Sequence, residues 1–122
     1  MGAPILVVDD NPTNAKLLSL LLTGEGHEVR VAASASQALA VLAGWSPRLI
    51  LMDVQLPDMD GLALTRKLRA DPSTRGVRIV AVTAFAMRGD EDKAREAGCD
   101  DYLAKPIDTR TLPGRVLGWL GE

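Results

Sequence analysis

Four short apolar runs each stop on a residue able to hold a phosphate or a metal ion. Ile5-Leu6-Val7-Val8 stops on Asp9-Asp10, and Leu49-Ile50-Leu51-Met52 on Asp53. Ile79-Val80-Ala81-Val82 stops on Thr83, and Tyr102-Leu103-Ala104 on Lys105-Pro106. The runs are continuous rather than alternating, as strands buried on both faces of a sheet are. Amphipathic segments of helical length separate them. This alternation restricts the chain to a parallel sheet with helices on both faces and right-handed crossovers.

Local signals divide the chain into five βα units. Asn11 caps a first helix with Pro12 at its first position, and that helix stops near Gly24. Val29-Arg30-Val31 forms a short second strand. Ser36 caps a helix running to Ala43, with Gly44 as its stop. After the strand ending at Asp53, a turn over Pro57-Asp58-Met59-Asp60-Gly61 leads into a helix that closes at Asp71-Pro72. A fourth helix spans Asp90 to Ala97, with Gly98 as its stop. Asp108 is placed to cap the last helix, but Pro113 and Gly114 conflict with its early turns. A kink, or a start delayed to Leu112-Pro113, is expected. The fold class is therefore α/β, a five-stranded parallel, doubly wound (βα)5 sheet of the flavodoxin-like kind. Strand order 2-1-3-4-5 places the strands bearing Asp9, Asp53 and Thr83 at its centre.

The 122 residues suit a single domain, residues 1–122, and 47% hydrophobic content is enough for one core. A net charge of −2 with no basic block argues against direct nucleic-acid binding, and 3% aromatics against a base-stacking platform. Cys99 is the sole cysteine, which removes an internal disulfide or zinc cluster and fits a cytoplasmic setting. The apolar stretch 17–22 is interrupted by Ser19 and is too short to cross a membrane. Residues 1–4 read as a short leader, with no signal peptide.

In a parallel α/β sheet the strand carboxyl ends share one edge, where ligands bind. Asp9, Asp10 and Asp53 would meet there. Two unit charges ~4 Å apart repel by about 4 kcal/mol at an effective dielectric of 20, so three carboxylates require cations. Lys105 supplies one. Magnesium suits the remainder, because it takes one or two carboxylates together with waters and phosphate oxygens, and manganese is a second candidate. Such a site fits phosphoryl transfer, in which positioning and charge neutralisation dominate. Asp53 stands alone at its strand end and is the candidate nucleophile for an aspartyl phosphate. Asp9 and Asp10 would hold metal, and Thr83 and Lys105 would bind phosphoryl oxygens.

With these motifs in order and at these spacings, the chain resembles the receiver domains of two-component response regulators over essentially its whole length. Thr83-Ala84-Phe85-Ala86-Met87 with Gly98-Cys99-Asp100-Asp101-Tyr102 is most similar to single-domain cell-cycle regulators and hybrid histidine kinase receivers. The resemblance implies that Asp53 accepts a phosphoryl group from a phosphohistidine on a histidine kinase or phosphotransfer domain. It implies Asp10, Asp53 and the backbone carbonyl of Gln55 as magnesium ligands, with Asp9 acting through a water. It further implies that Thr83 and Tyr102 switch on phosphorylation, and that the bond from Lys105 to Pro106 is cis. Gln55 and Phe85 would flank the path of attacking water. Since Phe85 has no polar group to orient that water, slow self-dephosphorylation is expected. Output would pass to a downstream protein target through the segment carrying Met87, Arg88, Arg95 and Tyr102, which is also the face for a homodimer through helix 4, strand 5 and helix 5.

A phosphatase of the haloacid-dehalogenase type would use similar groups, but needs a second Asp where Gln55 stands. A dinucleotide module lacks its Gly-x-Gly-x-x-Gly after the first strand. A receiver-like scaffold without phosphorylation is disfavoured by the complete residue set. The chain is thus expected to be no turnover enzyme. Outside the site, Asp58 and Asp60 read as turn residues, His27 as a surface loop residue and Cys99 as small and partly buried. The leucines over 17–22 cover more than one helix face, so Leu17 or Leu21 is a candidate docking contact for a helical partner.

Overall fold

The computed structural model describes residues 2–84 and 90–121. Its strands are β1 (Pro4–Val8), β2 (Glu28–Ala32), β3 (Leu49–Asp53), β4 (Arg78–Thr83) and β5 (Asp101–Ala104). They pair in parallel in the order β2-β1-β3-β4-β5. The helices are α1 (Pro12–Gly24), α2 (Ala35–Leu42), α3 (Gly61–Ala70), α4 (Asp90–Ala97) and α5 (Leu112–Trp119). This is the expected five-stranded, doubly wound architecture.

Side-chain alternation along the central strands divides the interior into two layers. Ile5, Val7, Leu49, Leu51, Val80 and Val82 face one side, where Leu18 and Leu22 of α1 and Leu112 and Val116 of α5 pack on them. Leu6, Val8, Ile50, Met52, Ile79 and Ala81 face the other, beneath α2, α3 and α4. The continuous apolar runs of β1, β3 and β4 follow from this double burial. The edge strand β2 is exposed along much of its length, which is why its apolar run is weaker.

Several local expectations are corrected. The cap of α2 is Ser34, not Ser36: Ser34 Oγ accepts the Gln37 N–H at 3.1 Å. Gln37 Oε1 in turn accepts the Ala33 N–H at 2.9 Å, one residue before the cap, so the two side chains together hold the entry to the helix. Asp108 does not cap α5; its Oδ1 accepts the Arg110 N–H at 3.0 Å in a turn before the helix. With α5 starting at Leu112, Pro113 falls in the first turn, where no N–H is needed. Residues 3 and 4 are no leader, since Ala3 is buried and Pro4 opens β1. His27 is not a surface residue. It is 5% exposed, and its Nδ1 accepts the Ala3 N–H at 3.0 Å. Cys99 is buried, its Sγ 3.8 Å from Thr65 Oγ1, and burial pushes its thiol pKa up. No described helix is long and apolar enough to cross a membrane.

Candidate functional site

The carboxyl ends of β1, β3, β4 and β5 meet at one edge of the sheet, as parallel pairing requires. Asp53, the last residue of β3, is 4% exposed, and Asp9, immediately after β1, is 3% exposed. Asp10 is exposed at the rim. One carboxylate oxygen from each of the three lies within 4.8 Å of the others.

Each buried carboxylate is fixed by local bonds. Asp9 Oδ1 accepts the Asn11 N–H at 2.9 Å, and Asp53 Oδ1 accepts the Gln55 N–H at 3.0 Å. Lys105 Nζ lies 3.2 Å from Asp53 Oδ2 and 3.6 Å from Asp9 Oδ2. The Lys105–Pro106 peptide is cis. Lys105 is held to β4 through its own N–H, which donates to the Thr83 carbonyl at 2.7 Å.

Three carboxylates against one ammonium leave an excess of negative charge. The Asp9 carboxyl is shifted first by its burial and only secondarily by that charge. Burial raises its pKa above the ordinary carboxylate value, the Asn11 amide opposes the rise, Asp53 adds to it and Lys105 reduces it. A hard divalent cation would balance this donor set, which is all oxygen and partly open to solvent.

Thr83 ends β4, is buried, and lines a cleft of about 240 Å³ with Gln55, Asp60, Lys93 and Tyr102. The cleft gives Thr83 and the half-exposed Tyr102 a common space beside the end of β3. The start of α3 packs closely against the end of β3. A Cβ on Gly61 would lie 2.1 Å from the Asp53 carbonyl oxygen, so only glycine lets α3 begin there. Phe85, Met87 and Arg88 lie outside the described residues.

The sequence motifs and this geometry converge with comparisons to known proteins. A family model for the response regulator receiver domain matches residues 5–117. The chain belongs to the response regulator receiver family. The polar-differentiation response regulator DivK of Brucella abortus is 38% identical over 122 residues, covering 100% of this chain and 99% of DivK. The response regulator PleD of Caulobacter vibrioides is 47% identical over 116 residues, covering 95% of this chain and 26% of PleD. A putative response regulator from Chloroflexus aurantiacus superposes with a TM-score of 0.93 at 38% identity, covering 100% of both chains. The receiver domain of a sensor histidine kinase from Pseudomonas aeruginosa, with magnesium coordinated in its active-site cleft, gives 0.89 at 38% identity, again covering 100% of both chains.

The receiver is a module of phosphorelay signalling, and neither the phosphatase nor the scaffold reading is supported. Receiver domains partner with histidine kinases or phosphotransfer proteins and are in general not turnover enzymes. One contribution was missed in the sequence: the Asp58 carboxylate is not simply a turn residue but bonds the start of α2. No local signal reveals this, because the two segments are 22 or more residues apart.

Proposed function

We propose that this receiver takes a phosphoryl group from a phosphohistidine of a cytoplasmic histidine kinase or phosphotransfer domain onto Asp53. A carboxylate oxygen of Asp53 forms the new P–O bond, the P–N bond breaks, and the leaving imidazole nitrogen takes up a proton. Asp9, Asp10, Asp53 and the Gln55 backbone carbonyl would hold magnesium, or manganese in its place. The cation supplies charge neutralisation for the incoming phosphoryl oxygens. Lys105 adds a second positive charge, and its contact with Asp53 becomes a contact with the phosphoryl group. The Thr83 hydroxyl turns toward the new oxygens, and Tyr102 follows into the cleft beside it.

Moving a two-state equilibrium from 1:99 to 99:1 takes about 5.5 kcal/mol, and charge-assisted hydrogen bonds of about 1.5–3 kcal/mol each supply it with two to four contacts. The switched face is α4-β5-α5, where Arg95 and Arg115 lie 3.7 Å from Asp101 and Trp119 Nε1 donates to Asp101 Oδ2 at 2.7 Å. A downstream protein or a second copy of the chain would bind there. Gln55 and Phe85 would set the phosphate lifetime, and Phe85→Glu should speed phosphate loss by supplying a group that orients water.

The observation that carries this reading is the three-carboxylate cluster with Lys105 seated between Asp9 and Asp53. The test is incubation with a small phosphodonor and magnesium, followed by intact mass. A gain of one phosphate in the wild type and none in Asp53→Asn is expected. Equal gain in both would reject Asp53 as the acceptor.

A further inference from the structure

Asp58 belongs to the loop between β3 and α3, yet its side chain serves another helix. Its Oδ1 accepts the Ala35 N–H at 2.9 Å and its Oδ2 the Ser36 N–H at 3.0 Å. These are the first two amides of α2. The third, of Gln37, is already taken by Ser34. Asp58 therefore supplies from a distance what the local cap of α2 does not reach. The same two amides hold the Asp58 carboxyl below its usual pKa, so it stays ionised in this contact.

The other end of the loop is anchored at the phosphoacceptor. Gln55 donates its N–H to Asp53, pairs with Asp60 in an isolated bridge, and follows Val54, whose N–H donates to the Val82 carbonyl at 3.1 Å. Gly61 closes the loop by donating to the Val54 carbonyl at 2.8 Å. The base of the loop is thus fixed by backbone bonds and its tip by Asp58. The turn to which the tip is tied also borders the metal-holding pair: the Ala32 carbonyl accepts the Asp9 N–H at 3.0 Å, and Ala33 lines a groove beside Asp9 and Asp10.

We infer that Asp58 is a positioning residue for the cation site: by tying the 54–60 loop to the start of α2, it sets the Gln55 carbonyl at its distance from Asp10 and Asp53. This rests on the proposed role of Gln55 as a metal ligand. Asp58 touches no reacting atom and acts only through the loop.

The test is magnesium titration by calorimetry on metal-free wild type, Asp58→Ala, Asp58→Asn and Ser34→Ala. Ser34→Ala removes a cap from the same helix terminus without touching the loop. Loss of a group that orients a ligand costs about 10–100-fold in metal affinity. Asp58→Ala should bind magnesium about tenfold more weakly, Asp58→Asn should fall between it and wild type, and Ser34→Ala should match wild type. In the metal-free state, the amide resonances of Gln55 and Met59 should shift in Asp58→Ala and not in Ser34→Ala. Wild-type affinity in both Asp58 variants, or an equal loss in Ser34→Ala, would overturn the inference while leaving the metal reading intact. If Asp58→Ala does not fold, wild-type affinity in Asp58→Asn alone overturns it. A wild type that binds no magnesium would overturn both.

Discussion

Lys105 donates to Asp53 across two strand ends, Nζ to Oδ2 at 3.2 Å, and the same ammonium reaches Asp9 at 3.6 Å. Its removal leaves two buried carboxylates facing each other. Lys105→Met should cost about 3 kcal/mol at pH 7 in metal-free protein, the scale for stranding a buried charge. Without the ammonium, Asp9 holds its proton to higher pH, so the folded state binds more protons than the unfolded one. The deficit should therefore shrink as pH falls from 7 toward 4. Urea denaturation at several pH values checks it.

Asp9→Asn should act in the opposite sense. The raised pKa of Asp9 means that its ionised form costs stability above that pKa, and that the cost is relieved as pH falls through it toward the unfolded value. The amide removes the cost, so the metal-free variant should be more stable at pH 7, with the gain vanishing as pH falls toward the range where the unfolded carboxylate is protonated. Saturating magnesium should reverse the ranking, since a ligand at 100 times its Kd stabilises by about 2.7 kcal/mol and the variant has lost a carboxylate. Thermal melts with and without magnesium read both effects.

Gly61→Ala should be severely disruptive. The added methyl would meet the backbone of Asp53 and Val54 rather than a side chain that can yield. Forcing α3 outward should cost about 3 kcal/mol or more and displace Asp53, the proposed phosphoacceptor. Denaturation and phosphate uptake should fall together.

His27→Ala should destabilise by about 2 kcal/mol, because it orphans the buried Ala3 N–H and removes a buried ring. The site is at the opposite edge of the sheet, so magnesium affinity should be unchanged. Chemical denaturation and calorimetry separate the two.

Leu20 is 63% exposed and Leu17 39%, whereas Leu21 packs on the core. The docking candidates on α1 are therefore Leu17 and Leu20, not Leu21. Leu20→Ala should change stability by less than about 0.5 kcal/mol and leave phosphorylation by a small phosphodonor intact. Transfer from a helical phosphohistidine partner should slow about tenfold, the effect of about 1.4 kcal/mol at an interface. Paired rate measurements with the two donors test this.

The architecture was legible in the order of residues because its signals are local. Double burial forces β1, β3 and β4 to be continuously apolar, and helix termini leave polar or glycine marks such as Asn11 and Gly98. Parallel pairing then brings Asp9, Asp10, Asp53, Thr83 and Lys105 to one edge without knowledge of any contact. What remained hidden depends on partners distant in the chain. His27 has the composition of a loop residue and becomes buried only because Ala3 donates to it from another segment. Asp58 has the composition of a turn and becomes a cap only because the sheet order places α2 beside its loop. The sequence by itself determined the elements, their pairing and the membership of the acidic edge, since hydrophobic period and strand-end chemistry are written residue by residue. Only the tertiary structure decided which oxygen meets which donor, because a hydrogen bond depends on the final position of both ends and neither end carries that position alone.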